Sequence, residues 1–269
     1  MTIYIGHDDW LAEGKYSLQS ASSGASIYNS GGFHVRNCLS ADTAKTTLLD
    51  GSATHNWYFT DNLGIAPEYV GFGMLKRWGD GSAAITLNNR AFEGSDNTVV
   101  VDSELVPDGA GIKSFVVESG NSETRTSSSP LVRIFPANQQ VTIKNIRLGS
   151  LTPLEHMGAG YVYFKVDTKD HHKVKNFYSD EGHHIATSSH QEPVKFSLSI
   201  RNHTKAWVNQ YYDKMVYDMS LRPFYLYDDN TSHSTEKEAG YCWLSGSPPQ
   251  AKMNANGLFD MTLSCRGYF

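Results

Sequence analysis

Short apolar runs separated by turn-forming residues fill residues 1–150, and this spacing restricts the fold more than any other feature. The runs recur roughly every ten residues with no long amphipathic helical stripe between them. Segments such as 79–81 (Gly-Asp-Gly) and 107–109 (Pro-Asp-Gly) supply the positive φ or side-chain bonds that end a strand. The pattern predicts an antiparallel sandwich. Its predicted strands are Thr2–Ile5, Tyr69–Leu75, Ala83–Leu87, Asn97–Val101, Lys113–Glu118, Leu131–Phe135 and Gln140–Leu148.

The last third of the chain has the clearest periodicities. Apolar and polar residues alternate over 194–201, which predicts a strand with one buried face. Asn202 or Thr204 can then cap a helix, and Pro223 prevents its continuation. An apolar stripe on this helix predicts a core or oligomer contact, with Trp207, Tyr211 and Met215 as its main residues. Further strands are predicted at Phe224–Tyr227, Tyr241–Leu244 and 259–265.

A joint is predicted near residue 150. The segment 149–160 contains a proline and several glycines and precedes an aromatic strand, Tyr161–Val166. The sequence therefore predicts a mainly β protein with two β-sandwich domains, 1–150 and 151–269, the second with one α-helix at about 204–219. The polar, His-rich stretch 167–192 is predicted to be a long loop, either functional or poorly ordered.

Composition excludes several classes of protein. The 269 residues include 23 Lys plus Arg against 28 Asp plus Glu, and this net charge of -5 argues against specific nucleic-acid binding through phosphates. No apolar run of about 18 residues is present, so no membrane insertion is expected. The polar, acidic first residues predict no signal peptide. Three scattered cysteines predict reduced thiols in a cytoplasm.

Histidines in the predicted loop are the candidates for metal chemistry. Imidazoles bind zinc and other divalent ions, but the chain has no HExxH or CxxC spacing. Ligands on a flexible loop would also have to offset the entropy of ordering it. We therefore predict no metal site and no cofactor, and a solvated loop whose protonation near about pH 6 can alter a contact. The candidate ligands are His171, His172, His183, His184 and His190.

No catalytic motif stands out, so we predict that the chain is not an enzyme. There is no Gly-x-Ser-x-Gly elbow, and Cys38, Cys242 and Cys265 have no nearby histidine that indicates an activated thiolate. Cys265 continues an apolar face, which predicts a buried thiol. The carboxylate pairs 8–9 and 228–229 could serve a glycosidase but are interpreted as surface turns.

Exposed aromatic side chains can stack on sugar rings. Trp57, Tyr58 and Trp78 are the candidates for glycan contact in the first half, although aromatic residues of a sandwich more often belong to its core.

The first half runs through a polar lead-in at 20–32, then Val35-Arg-Asn-Cys38 and Trp57-Tyr-Phe59. Paired strands at 69–75 and 84–87 follow, and 131–135 with 141–149 close the segment. This order resembles a discoidin-type (galactose-binding-like) jelly roll over about residues 16–150. Such domains occur in tail proteins of long-tailed bacteriophages, where the closing strand also leads through a glycine into a linker.

The second half has a strand at 194–201, a helix at 204–219, a Pro-aromatic step into 221–227 and a last strand at 259–269. This arrangement resembles the tail-tube-like β-sandwich of phage distal tail and minor tail proteins. The resemblance implies a structural virion subunit that forms a homo-oligomeric ring, for which a hexamer is one option. Its partners would be other tail proteins: the tube, the hub and the fibres.

Two functions from different classes follow from these resemblances. The first is a non-enzymatic distal tail or baseplate ring component, located in the virion tail and assembled in the host cytoplasm. The extra N-terminal jelly roll departs from many distal tail proteins. The alternative is a carbohydrate-binding or receptor-binding tail module that contacts a host surface glycan through the jelly roll.

Overall fold

The structure is a computed structural model of the chain. It describes residues 3–21, 39, 47–49, 55–61, 67–78, 83–90, 98–106, 113–118, 130–135, 140–154, 172–228 and 239–268. Side chains are described for 3–16, 39, 67–73, 141–154, 174–187, 192–226 and 239–268. The described residues are mainly β, which confirms the predicted fold class. The predicted strand Tyr161–Val166 lies outside them.

Twelve strands lie before residue 155 in the described part of the chain. They are β1 (Ile3–Gly6), β2 (Tyr16–Ala21), β3 (Thr47–Leu49), β4 (His55–Asp61), β5 (Tyr69–Trp78), β6 (Ala83–Arg90), β7 (Thr98–Val106), β8 (Lys113–Glu118), β9 (Pro130–Phe135), β10 (Gln140–Ile143), β11 (Asn145–Gly149) and β12 (Thr152–Leu154). A strand is found at each place predicted in this half, with ends shifted by up to about five residues, but the predicted strand Gln140–Leu148 is divided into β10 and β11. β2, β3, β4 and β12 were not predicted.

The remaining described elements are seven strands and one helical segment. The strands are β13 (His172–Tyr178), β14 (His184–Gln191), β15 (Val194–His203), β16 (Phe224–Asp228), β17 (Ala239–Leu244), β18 (Lys252–Met253) and β19 (Phe259–Tyr268). The helical segment consists of α1 (Lys205–Trp207), a π-helical turn (Val208–Tyr212) and α2 (Asp213–Leu221). None of the described helices is long and apolar enough to span a membrane.

The described strands form three antiparallel sheets. The largest has twelve strands and contains the path β12-β1-β16-β17-β8-β5-β10-β3. Beside this path β11 pairs with β5, β19 pairs with β17, and β15 and β18 both pair with β19. A second sheet has the order β2-β4-β9-β6-β7, and β13 pairs with β14 in a two-stranded sheet of its own. β1 pairs with both β12 and β16, so the first strand of the chain joins strands of its second half. The boundary near residue 150 stays a prediction.

The predicted loop at 167–192 is wrong for residues 172–191, which form the β13–β14 hairpin. Its strands are rich in His, Ser and Lys, and so they lack the apolar alternation on which the prediction relied. The turn is made by Ser179 to Gly182, where Gly182 has φ +83° and donates its N–H to the Ser179 carbonyl at 2.9 Å. Positive φ at this position suits glycine, which has no Cβ to clash.

The helical segment covers the core of the largest sheet. Thr204 is the N-cap as predicted, and its hydroxyl accepts the Trp207 N–H at 3.2 Å. The helix ends at Leu221, before Pro223. Its buried side chains meet alternate residues of β15 and β19, because a strand presents every second residue to one face. Members of this core include Leu198, Ile200, Trp207, Met215, Met219, Phe224, Met261, Leu263 and Cys265.

A second, smaller core holds three tyrosines at the contact between the two halves of the chain. The ring centroid of Tyr225 lies 6.2 Å from that of Tyr69 and 5.4 Å from that of Tyr241. Tyr225 is fully buried, and its ring faces Gly71 so closely that an added Cβ there would lie 2.6 Å from the ring carbon Cε2. The glycine in β5 is therefore what allows the tyrosine to enter.

Candidate functional site

A buried group of charged and polar side chains lies where the N-terminal segment, β11, β12 and α2 meet. We call this group the junction cluster. Its residues come from positions far apart in the chain, since His7 is 211 residues from its partner Asp218. The members are His7, Asp8, Asp9, Arg147, Ser150, Thr152, Lys214 and Asp218.

Asp8 is buried and held by two elements. Its Oδ2 accepts the Ser150 backbone N–H at 3.2 Å and the Ser150 hydroxyl, and its Oδ1 accepts from Lys214 Nζ. Burial acts to raise the pKa of Asp8, but the hydrogen bonds from Lys214 and Ser150 outweigh it, and the net pKa is lower than the ordinary 3.8. Asp8 is therefore an ionised anchor between the N-terminal segment and helix α2.

Asp9 pairs with a fully buried arginine. Arg147 is 1% exposed, and its Nε lies 3.5 Å from Asp9 Oδ2, while its Nη1 donates to the Pro223 carbonyl. Arg222 Nη1 lies 3.8 Å from the same carboxylate oxygen, and Asp9 Oδ1 accepts the Ala12 N–H at 3.1 Å. Burial raises the pKa of Asp9 even though Arg147 favours its charged form.

His7 links the cluster to β12 and α2. Its Nδ1 lies 2.9 Å from Asp218 Oδ2, and its Nε2 lies 2.9 Å from Thr152 Oγ1. Both ring nitrogens are thus engaged with partners from different elements. The imidazole connects three segments of the chain.

His7, Asp8 and Asp218 have the composition of a metal site, and their ligand atoms lie within 4.8 Å of one another. However, Lys214 Nζ contacts Asp8 Oδ1 and lies 2.7 Å from Asp218 Oδ2. The ammonium group therefore supplies the positive charge that these two carboxylates require. The donor set fits an ion-pair network better than a divalent ion.

Interpretation of the pair Asp8–Asp9 as a surface turn is wrong, because both side chains are buried. Each carboxylate has its own cation, Lys214 for Asp8 and Arg147 for Asp9. No local pattern in the sequence indicates these pairs. The side chains of the other predicted pair, 228–229, lie outside the described residues.

Acid is expected to weaken the junction cluster through Asp8. A carboxyl group with a lowered pKa stabilises the folded chain above its ordinary value of 3.8, and this contribution is lost as the pH falls through the lowered value. We therefore expect an Asp8→Asn variant to be less stable than wild type at about pH 6, with the difference shrinking toward about pH 2. Urea unfolding at both pH values measures it, and a constant difference would contradict the assignment.

The β13–β14 hairpin, which we call the arm, is the second candidate. Its turn and the described side chains of both strands are exposed apart from the half-buried Ser179. Three apolar side chains on it are largely in solvent: Val174 is 60% exposed, Tyr178 59% and Ile185 66%. Several large apolar side chains exposed on one two-stranded sheet indicate an interaction surface.

Polar contacts order one part of the arm. Thr187 Oγ1 donates to Asn176 Oδ1 at 2.8 Å and lies 2.7 Å from His184 Nε2. The His184 ring meets the Tyr178 ring edge-on at 5.7 Å. Cross-strand contacts of this kind fix the register of the hairpin.

Among the predicted metal ligands and glycan contacts, only His183 and His184 have described side chains. His183 is exposed and 3.9 Å from Glu181, and His184 contacts Thr187. His171 and the side chains of His172 and His190 lie outside the described residues, as do those of the glycan candidates Trp57, Tyr58 and Trp78. Trp57 and Tyr58 are consecutive residues of β4.

The predicted helix residues pack inside the chain. Trp207 and Met215 are buried in the core of the largest sheet, and Tyr211 packs against it. Trp207 Nε1 donates to the Pro153 carbonyl at 2.9 Å, which joins the helix to β12.

Cys242 and Cys265 are also buried, and burial raises the pKa of the Cys265 thiol to about 12. Cys38 lies outside the described residues.

No protein-family model matches the chain, and no curated protein matches it. Weak structural neighbours include a Ruminococcus gnavus GH29 fucosidase in complex with fucose, with 6% identity and a TM-score of 0.38 over 53% of this chain and 26% of the fucosidase. Tailspike protein 4 of bacteriophage CBA120 is 12% identical, with a TM-score of 0.31 over 50% of this chain and 19% of the tailspike.

A fucose-binding module from Streptococcus pneumoniae is a third neighbour, with 11% identity and a TM-score of 0.28. The matched region covers 49% of this chain and 89% of the module. The chain thus spans about a quarter of the fucosidase and about a fifth of the tailspike. Similarity at this level carries no argument for a shared activity.

Proposed function

We propose that this chain is a non-enzymatic structural subunit of a phage tail that assembles with copies of itself. The arm is the observation that carries the proposal. Its two strands form a separate sheet, and Val174, Tyr178 and Ile185 are exposed on it. Apolar side chains on such a projection favour contact with another protein surface.

Physical chemistry gives the reason. A two-stranded hairpin without further packing is at best marginally stable in water, because it buries little apolar surface and leaves both outer edges open. Covering the arm with another copy would remove its apolar side chains from water at roughly 25 cal/mol per Å² buried. A heterologous contact repeated by rotation closes into a ring.

The finer assignment is a distal tail or baseplate ring component that links the tail tube to hub or fibres. It depends on the resemblance of the second half to tail-tube-like domains. The observed order β15, helical segment, β16 agrees with that resemblance. Association with tube, hub and fibre proteins is part of the same proposal.

Removal of the arm is expected to abolish assembly. In the variant, residues 173–190 are replaced by a short Gly-Ser turn between His172 and Gln191, which are paired neighbours at the base of the arm. Native mass spectrometry should give a closed oligomer for wild type and a monomer for the variant, since the variant lacks the exposed apolar surface. Circular dichroism serves as the control for folding.

Two outcomes would contradict the proposal. One is a wild-type chain that stays monomeric at concentrations up to about 100 μM, where even weak interfaces associate. The other is an arm deletion that assembles as wild type does. Electron microscopy of tail particles with a labelled chain would test the position in the tail.

Carbohydrate binding by the jelly-roll half is the second candidate. The resemblance of residues 16–150 to a discoidin-type (galactose-binding-like) jelly roll supports this candidate. Fucose, the sugar named for two structural neighbours, is used as the probe. In this chain the candidate contacts are Trp57, Tyr58 and Trp78. Fucose titration by NMR, with Trp57→Ala, Tyr58→Ala and Trp78→Ala compared, would identify which of them contacts the sugar. No response on the assembled oligomer would exclude fucose.

A further inference from the structure

A row of three residues crosses the largest sheet on the face opposite the helical segment. Lys195 of β15 is the direct cross-strand partner of Arg266 of β19, and Arg266 is the partner of Trp243 of β17. Like charges directly opposite each other destabilise a sheet unless an anion lies near them. We call Lys195, Arg266 and Trp243 the basic row.

Neither cation of the basic row has a carboxylate partner among the described residues. Lys195 is exposed, and Arg266 is half-buried with its Nε shielded from water. That Nε also has no hydrogen-bond partner in the described part of the chain. A buried donor without an acceptor is costly, so this position favours an incoming anionic group.

The tip of the arm carries the complementary charge. Asp180 and Glu181 occupy the turn between β13 and β14, and the Glu181 side chain is 85% exposed. The nearest basic group to Glu181 is His183, at 3.9 Å, which is charged only when protonated. Asp180 has no ion pair within the described residues. The arm therefore ends in two carboxylates directed into solvent.

The tip of a straight arm cannot reach the basic row of its own chain. The arm begins next to β15, since only Glu192 and Pro193 separate β14 from Val194. Seven residues of β13 lie between base and turn. At about 3.4 Å per residue, the tip lies roughly 24 Å from the base and hence from Lys195. A contact between tip and row must therefore form between two chains.

We propose that Asp180 and Glu181 of one copy dock on Lys195 and Arg266 of a second copy. The inference rests on the proposed self-assembly and names the contact that directs it. Each copy offers one tip and one row, so the contact is head-to-tail and propagates around a ring. Charge complementarity of this kind fixes the register of an interface and speeds association.

Charge reversal tests the contact. The variants are D180K/E181K, K195E/R266E and all four substitutions together, with self-association measured by analytical ultracentrifugation in about 0.15 M salt. Each reversed pair should weaken association about tenfold or more, and the fourfold variant should recover to within about threefold of wild type. Lys252→Glu, at another exposed lysine, is the matched control and should have no effect.

Substitution of Arg266 can also impair folding, because that side chain is half-buried. A variant at an exposed position is therefore measured as well. K195E alone, at an exposed position, should weaken association in the same direction and be restored by D180K. If the wild-type chain assembles but the charge reversals do not change its self-association, the proposed contact is wrong and the proposal of self-assembly is unaffected. A monomeric wild type instead overturns self-assembly itself and this contact with it.

One further outcome would also overturn the proposal. Heparin can be used as a polyanionic saccharide probe on wild type and on K195E/R266E. If the variant assembles like wild type but has lost heparin binding, an anionic saccharide rather than a second copy occupies the basic row.

Discussion

Replacing Arg147 by methionine is expected to lower the free energy of unfolding by about 3–5 kcal/mol. The substitution leaves the Asp9 carboxylate buried with only Arg222 nearby, at 3.8 Å. It also removes the donor to the Pro223 carbonyl. Breaking one side of a buried pair costs more than the pair contributes, because the remaining buried charge loses its closest cation and gains no water in return. Urea unfolding near about pH 7 measures the loss.

Arg222→Met is the matched control. Arg222 lies near the same carboxylate but is about one-third exposed, so its removal should cost less than about 1 kcal/mol. Protonation supplies a second check, since burial already raises the pKa of Asp9 and loss of Arg147 raises it further. The difference between Arg147→Met and wild type should therefore shrink as the pH falls. Adding Asp9→Asn to Arg147→Met should recover part of the loss, whereas an equal loss at every pH would contradict this account.

Gly71→Ala is expected to destabilise the chain by about 1–3 kcal/mol, although alanine usually suits a strand better than glycine. The new Cβ would lie 2.6 Å from Tyr225 Cε2, a distance that real contacts do not reach. The Tyr225 ring cannot yield easily, since it is fully buried between Tyr69 and Tyr241 and its hydroxyl donates to Asn145 Oδ1 at 2.9 Å. The gain of about 0.4–1 kcal/mol from restricting the unfolded chain is smaller than this overpacking cost.

Gly246→Ala serves as the control for this prediction. Its added Cβ meets no atom within 4 Å, so its effect should stay within about 0.5 kcal/mol of zero. Thermal and urea unfolding of both variants give the comparison. A Gly71→Ala variant as stable as wild type would mean that Tyr225 has room to move.

The last third of the chain, from residue 194 onward, was predictable because its pattern is local. Alternation in β15 and β19, the Thr204 cap and the stop before Pro223 each act over a few residues, and the structure has all of them. Apolar residues that recur every two residues mark the buried face of a strand, and those that recur about every 3.6 residues mark the buried face of a helix. The strands of the arm were not predicted, because a strand that is exposed on both faces shows no alternation of apolar and polar residues.

The junction cluster was beyond prediction from one sequence. Its pairs join residues 7 and 218, 8 and 214, or 9 and 147, and nothing in the neighbourhood of His7 or Asp9 indicates these partners. The adjacent carboxylates were recognised, but charged residues next to each other are usually exposed, and the prediction followed that rule. Burial of Asp9 depends on Arg147, which is visible only once the chain is folded.

The position of β1 has a consequence for synthesis on the ribosome. Its neighbours in the sheet are residues 152–154 on one side and 225–228 on the other, so its first neighbour emerges only after strands β2 to β11 have been made. Contacts between such distant segments form slowly, because the conformational entropy of the intervening chain is lost before the contacts contribute any stabilisation. β1 therefore stays unpaired on both edges while the intervening strands are synthesised, and its docking between β12 and β16 is a late step of folding on the ribosome.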